Sequence, residues 1–345
     1  MFEVNAVQLR ECLVADLKAR LTPMVASSPG MGKSNIFKDI AKEFNLLVID
    51  LRVSQCEPVD MQGYPSVNAN GRMIFNIPEY FPIVGDPLPV DANGKQYSGW
   101  LLFLDEFNSG NKQTEAAAYK LILDREVYKY KLHPNCLIAA AGNLLTDRAI
   151  VNAQSTATTS RMTNYRMRID HLVWVDWANA NNIDHRIISF IKFKPDILHM
   201  FDPATDELTF PCPRTWEFAS AVVTGQDQID MITKIRLAGT IGQGAAVEFA
   251  TYSEIYQSLP TIEQIIENPK SGWKVPTEPS ERYAITTMLS HNITVSNIEN
   301  MIVAIERLPM DFQVITFKDI YKRSPQLVGH VAITAWISKN AGDMF

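Results

Sequence analysis

Four short, almost unbroken apolar runs constrain this chain more than any other feature. They are PMVASS (23–28), LLVID (46–50), WLLFLD (100–105) and CLIAAAGN (136–143). A run of this kind, without polar alternation, reads as a strand buried on both faces. The segments between them carry helical spacing. Val7, Leu9, Leu13 and Leu17 recur within 5–20, an amphipathic stretch runs from SSPGMGKS to about Phe44, and another runs from about Lys112 to Leu123. YRMRIDHLV (165–173) reads as a fifth strand. Strands alternating with helices predict an α/β class with a mostly parallel sheet flanked by helices. Residues 53–99 are rich in Pro, Gly and Asn, and NANGR (68–72) predicts a hairpin between short strands.

From Asp176 onward the pattern turns helical, through WANANN, HRIISFIKF, PRTWEFASAVV and QIDMITKIRLAG. The Pro- and Gly-containing stretch NPKSGWKVPTEPSE (268–281) interrupts it, and helical periodicity then continues to about Lys339. The expected organisation is an α/β core over 1–174, an all-helical lid over 175–260 and a helical C-terminal extension over 261–345. Trp174 and Trp177, at helical spacing, read as lid core rather than a ligand cage.

Lys plus Arg number 32 against 38 for Asp plus Glu, a formal charge of −6. That balance argues against non-specific adhesion to nucleic acid or anionic lipid, though it is compatible with a local basic patch. Cys12, Cys56, Cys136 and Cys212 lie far apart with no zinc spacing, so they read as free thiols of a reducing compartment. The N-terminus carries charges too often for a signal-peptide core, and no stretch reaches the roughly 18 apolar residues of a membrane span. The expectation is a cytoplasmic protein with no membrane association.

SSPGMGKS (27–34) follows a predicted strand and opens a predicted helix, which is the context of a phosphate-binding loop. Gly30 and Gly32 would let backbone N–H groups approach a polyphosphate at the positive helix end. Lys33 would reach the β- and γ-phosphates and Ser34 would ligate Mg²⁺. Ser27 stands where this motif usually has its first Gly. WLLFLDEFN (100–108) ends a strand in two acids at the sheet edge where ligands bind. There Asp105 would hold Mg²⁺ through water, and Glu106 would activate the attacking water as general base. Asn143, closing IAAAGN, would position that water, unless it only forms a turn. Arg161, at the end of a predicted short helix, could reach a nucleotide on a neighbouring subunit. Arg148, Arg166 and Arg168 compete for that role, and a solvated charge is the plain alternative. Arg214, in the first turn of a predicted lid helix after Pro213, would point to the γ-phosphate or else pair with Glu217. In 53–82, Asp60, Gln62, Tyr64 and Phe75 lie on a loop and hairpin that would either face a substrate or simply pack on the core.

PGMGKS, FLDEF, AAGN, a late Arg161 and PRTWE, in that order, resemble an AAA+ ATPase, and more closely its MoxR-type branch from bacteria and their phages. IDLRVSQCEPVDMQGYP (49–65), AAAYKLILDREVYKYKLHPNCLIAAAGN (116–143) and VWVDWANANNID (173–184) are similar to that branch too. The resemblance covers about 20–225 well, and the remainder loosely through LPTIEQII and ERLPMDFQV. It implies a P-loop AAA+ core with a helical lid, hydrolysis of ATP with Mg²⁺, and a homo-oligomeric ring, commonly hexameric, with sites at subunit interfaces. Pro29, Gly30, Met31, Gly32, Lys33 and Ser34 then correspond to Walker A, and Asp105 and Glu106 to Walker B. Asn143 corresponds to sensor 1, Arg161 to the arginine finger and Arg214 to sensor 2. The finger departs from the usual pattern, since Met162 follows Arg161 where Phe is usual. The resemblance further implies chaperone-like remodelling beside a protein partner bearing a von Willebrand factor A domain, which would be a separate chain. Two rival readings use the same core. One is a nucleic-acid motor or loader, for which Arg166/Arg168 and Lys318/Lys322/Arg323 form only small basic clusters. The other is a nucleotide-binding scaffold, against which the paired acids argue. ATP rather than GTP follows from the resemblance alone.

Overall fold

The computed structural model, which describes residues 2–147, 156–205 and 207–340, sets the four apolar runs side by side in one parallel sheet. The chain divides into two compact units, Met1–Ile169 with Asp202–Ala204, and Asp170–Phe201 with Thr205–Phe345. In the first unit the strands are β1 (Glu3–Val4), β2 (Pro23–Ala26), β3 (Leu46–Arg52), β4 (Tyr64–Val67), β5 (Met73–Asn76), β6 (Gly99–Asp105), β7 (Glu126–Val127), β8 (Tyr130–Lys131), β9 (Cys136–Gly142) and β10 (Thr163–Met167). Its helices are α1 (Ala6–Lys18), α2 (Lys33–Glu43), α3 (Pro58–Gln62), α4 (Lys112–Leu123) and α5 (Thr156–Thr159). Six strands form the sheet in the order β1-β10-β2-β9-β6-β3, and every neighbouring pair is parallel. The β4–β5 and β7–β8 pairs are separate antiparallel hairpins.

The strand period of two explains the unbroken apolar character of WLLFLD. Leu101 and Phe103 face a layer built with α1 and α2, where Leu9, Leu13, Phe37 and Ile40 are buried. Leu102 and Leu104 face the opposite layer, where α4 contributes Ala117, Ala118, Leu121 and Ile122. Both faces of the central strand are therefore closed to water, and alternation with polar residues has no place there.

The fifth strand is shorter and earlier than YRMRIDHLV suggests. It ends at Met167, and Asp170 stops it by accepting bonds from the N–H groups of Leu172 (3.1 Å) and Val173 (3.3 Å). That cap makes His171 the first residue of a helix, so the apolar residues after it pack with helical rather than strand period.

The second unit is helical: α6 (His171–Ala180), α7 (His185–Phe193), α8 (Pro213–Val223), α9 (Met231–Ile241), α10 (Gln243–Ser258), α11 (Ile262–Glu267), α12 (Pro279–Asn292), α13 (Ile298–Ile305), α14 (Met310–Arg323) and α15 (Val331–Asn340). Phe190, Trp216 and Phe249 meet edge-on or tilted at 5.6–5.9 Å in its first part. Leu289, Met301, Ile305 and Ile320 are buried together around Trp336, which stacks on Phe317 at 3.9 Å. No helix among the described residues is long and apolar enough to cross a membrane. All four cysteines are free, and burial pushes the Cys136 thiol up to about 12.

Inside this helical unit, His185 and His291 face each other at 5.0 Å. Arg323 lies 2.8 Å from Nε2 of His291, and a buried Asp184–Arg186 ion pair (2.8 Å) flanks His185, with Tyr256 packed edge-on against its ring. Burial first, then the Arg323 guanidinium and His185, bring His291 down to about 3, with Asp184 opposing them. His185 is lowered as well, mainly by burial. The unfolded chain therefore binds protons below the ordinary histidine value of 6.5 that the folded chain refuses until about 3. Stability should fall as pH drops through that window. Urea denaturation from about pH 7 to about pH 5 checks this, and His291→Gln should flatten the fall while leaving the fold intact.

Candidate functional site

The sheet register brings the ends of three adjacent strands together. Ala26 of β2 is level with Gly142 of β9, and Leu104 of β6 is level with Ala140 of β9. The SSPGMGKS loop, Asn143 and the Asp105–Glu106 pair, each at the end of its strand, therefore share one edge.

The loop takes its shape from glycines in the left-handed region, Gly30 at φ 74° and Gly32 at φ 87°. Gly32 is the residue before α2, and having no side chain it brings no side-chain cap to that helix. Met31 is buried in the α1–α2 layer and anchors the loop from below, whereas Pro29 is half-buried. Lys33 folds back over the loop. Its Nζ donates to the Ser27 carbonyl (2.9 Å), Ser27 Oγ (3.0 Å), the Ser28 carbonyl (3.2 Å) and Asn143 Oδ1 (3.3 Å). Ser27, fully buried, thus supplies a side-chain oxygen that Gly would lack at that position. Ser34 Oγ donates to Asp105 Oδ2 at 2.9 Å.

Glu106 adopts φ 51°, ψ 35°, a left-handed conformation unusual for a residue with a side chain. Its N–H donates to Asp105 Oδ1 (2.9 Å), and its carboxylate accepts a bond from Ser54 Oγ. Ser54 lies in the turn after β3, which runs alongside β6 with Arg52 level with Asp105. A left-handed residue with a side chain costs about 1–3 kcal/mol, and such strain clusters at functional sites.

Asn143 is fixed by Asn108, which grips its backbone from both sides. Asn108 Nδ2 donates to the Asn143 carbonyl (2.7 Å), and the Asn143 N–H donates to Asn108 Oδ1 (3.1 Å). The approach is so close that a Cβ on Gly142 would sit 2.2 Å from Asn108 Oδ1. The turn-former reading of Asn143 is incomplete, since its side chain also receives Lys33.

Lys33, Ser34, Asp105, Glu106 and Asn143 are thus gathered at one edge, and Arg161 is not among them. Arg161 precedes Thr163, which pairs level with Pro23 at the start of β2, the opposite edge from the loop that follows Ala26. Its guanidinium stands 5.3 Å from the ring centre of Tyr119. Arg214 is an exposed residue of the helical unit and makes no ion pair with Glu217 or with any other described residue. Of the competitors, Arg166 pairs with Glu3 (3.1 Å), Arg168 reaches the Ile169 carbonyl (3.5 Å), and Arg148 lies outside the described residues. Asp60 has a structural task, capping α3 at the Glu57 N–H (2.8 Å) and accepting from the Tyr64 hydroxyl (2.7 Å). Phe75 packs on Tyr128 at 4.9 Å, whereas Tyr64 is exposed. Trp174 is buried, with Trp177 beside it at 6.3 Å.

Sequence reasoning missed Ser27 as a lysine partner, Ser54 and Asn108. Ser54 and Asn108 act on residues distant in the chain, and only the strand order shows that β3 and β9 flank β6, whereas Ser27 acts within its own loop.

The residues fit a magnesium-bound polyphosphate. Among the described residues no three His, Cys, Asp or Glu gather into a metal cluster. The hydroxyl and carboxylate of Ser34 and Asp105 are the partial oxygen set that Mg²⁺ accepts when phosphates and water complete its shell.

No known family's sequence profile matches the chain, and no curated protein matches it. Solved structures with some likeness include a Cytophaga hutchinsonii protein classed provisionally as an ATPase, at 12% identity and TM-score 0.38, spanning 80% of this chain and 92% of that one. Two single-substitution variants of RuvB from Thermotoga maritima are similar at 14% identity and TM-score 0.35 (97% and 83% covered) and at 15% and 0.37 (75% of each). Identities and TM-scores this low carry nothing over to this chain.

Asn108→Ala should remove both bonds to Asn143 and leave its part-buried backbone groups without the amide, lowering unfolding stability by about 1–3 kcal/mol. Chemical denaturation checks this, and an unchanged midpoint would show that the amide pair does not hold the edge together.

Proposed function

We propose that this protein is an ATP-hydrolysing AAA+ protein of MoxR-like type. In this reading it assembles into a ring, with Mg-ATP at subunit interfaces, and remodels a partner protein. The observation that carries the reading is the convergence of Lys33, Ser34, Asp105 and Asn143 at the end of three adjacent parallel strands, with Ser34 and Asp105 already 2.9 Å apart.

In this account Lys33 exchanges its loop carbonyls for phosphate oxygens, and the uncapped start of α2 receives the remaining phosphate charge. Ser34 and Asp105 would hold Mg²⁺, which would supply charge neutralisation to the phosphates. Glu106 takes the proton of the attacking water, and Asn143 orients that water. The bond from Ser54 restrains the Glu106 carboxylate, so its release belongs to activation. Arg161, on the edge away from its own loop, serves a neighbouring copy. Arg214, unpaired in the helical unit, answers to the γ-phosphate as that unit moves. A lid over 175–260 and an extension over 261–345 are the proposed functional division of the helical unit, and a protein with a von Willebrand factor A domain is the proposed partner.

Glu106→Gln should retain ATP and trap the assembled form while losing hydrolysis, whereas Lys33→Ala should lose nucleotide binding. Turnover assays with solution mass measurements, with and without ATP and Mg²⁺, check both. Normal turnover by Glu106→Gln would remove Glu106 as the base. Arg161→Ala should keep nucleotide on each subunit and lose about 10³-fold or more in turnover.

A further inference from the structure

Arg161 does not stand alone on its edge of the sheet. Its guanidinium lies over the Tyr119 ring at 5.3 Å from the centroid, within the range of a cation–π contact. The ring is itself tied down by a buried network. Thr158 Oγ1 meets the Tyr119 hydroxyl at 2.8 Å and donates to Glu115 Oε1 at 2.5 Å. Thr158 is fully buried and Glu115 is 3% exposed. Glu115 and Tyr119 are four residues apart, so they share one face of α4. That helix begins at its Asn111 cap, just after the Asp105–Glu106 turn, while Thr158 belongs to α5, which leads directly into Arg161.

A buried carboxylate bonded to a hydroxyl contributes little to stability beyond its own satisfaction. Here its consequence is geometric. It fixes the ring on α4 relative to the turn that carries Arg161, and the ring face fixes the guanidinium. A flexible arginine that must reach a phosphate on another molecule loses less entropy on arrival when it is already ordered.

We propose that Tyr119 is a positioning residue for Arg161, held in place by Glu115 through Thr158, and that this pairing sets how well Arg161 serves a nucleotide on a neighbouring copy of the chain. The inference rests on the reading of Arg161 as the residue offered to that neighbour. Tyr119 acts through Arg161 and touches no nucleotide itself.

The test compares the full-length protein with Arg161→Ala, Tyr119→Leu, Tyr119→Phe and the Tyr119→Leu/Arg161→Ala double variant. It reads kcat, KM for ATP, affinity for a fluorescent ATP analogue and thermal midpoint. Tyr119→Leu should lower kcat about tenfold, as loss of a partly desolvated cation–π contact would, with analogue affinity and midpoint close to the parent. Tyr119→Phe, which keeps the ring face but loses the hydroxyl contact with Thr158, should recover part of that loss. The double variant should be no slower than Arg161→Ala alone, because the two residues act as one unit.

Parental kcat in Tyr119→Leu beside a disabled Arg161→Ala would overturn the positioning role and leave the reading of Arg161 standing. Losses that multiply in the double variant would overturn it as well. So would a drop in kcat accompanied by weakened analogue binding or a lowered midpoint that Phe does not restore. Parental turnover in Arg161→Ala would instead overturn the reading of Arg161, and the inference with it.

Discussion

The close approach of Asn108 to the end of β9 is the contact on which the site depends. Asn108 follows Asp105 by three residues, and its side chain holds the backbone of Asn143 on the neighbouring strand. The amide therefore locks the acid-bearing strand to the strand that separates it from the phosphate-type loop. Lys33 reaches Asn143 Oδ1, and Ser34 reaches Asp105, so both partners of the loop move as one piece. Only a glycine at 142 permits this, since a Cβ would be driven into Asn108 Oδ1. Sheet register brings the three strand ends level, and the amide pair keeps them so.

Around that edge the backbone takes conformations that a residue with a side chain adopts only at a cost. Gly30, Gly32 and Glu106 all sit at positive φ, and α2 begins without a side-chain cap. The stabilisation that offsets this lies one layer below. Leu101, Leu102, Phe103 and Leu104 are completely buried between two helical layers, each side chain contributing about 1.5–3 kcal/mol by leaving water. A rigid double-faced sheet can carry a strained edge because its strands do not yield to it. Lys33 held on loop carbonyls and Glu106 held by Ser54 are two groups restrained by bonds that a ligand could replace. An edge built this way can answer to what binds there.

Much of this was legible in the sequence, for physical reasons. Unbroken apolar runs identify strands buried on both faces, and PGMGKS between a strand and a helix identifies the loop. The residues that carry charge at the edge follow from those two facts. The end of the fifth strand was not legible, because the Asp170 cap overrides the apolar run that continues past it. The two-residue edge strand at Glu3–Val4 and the short helix at Pro58–Gln62 were too brief to leave a period. Ser54, Asn108 and the Ser27–Lys33 bond escaped for another reason. Each depends on a close spatial approach, Ser54 and Asn108 across strand order and Ser27 within its own loop, and spacing along the chain encodes none of them. Tyr119 and Glu115 look like an ordinary helix face until Thr158 is placed against them.

The measurement that tests the account most directly is calorimetric titration of ATP into the purified protein, with Mg²⁺ present and with Mg²⁺ chelated, repeated on Asp105→Asn. The account predicts binding that Mg²⁺ strengthens in the parent and does not strengthen in the variant, since Ser34 and Asp105 are the oxygens proposed to hold that ion. Affinity indifferent to Mg²⁺ in both proteins, or no binding at millimolar nucleotide, would contradict a magnesium–nucleotide site at this edge.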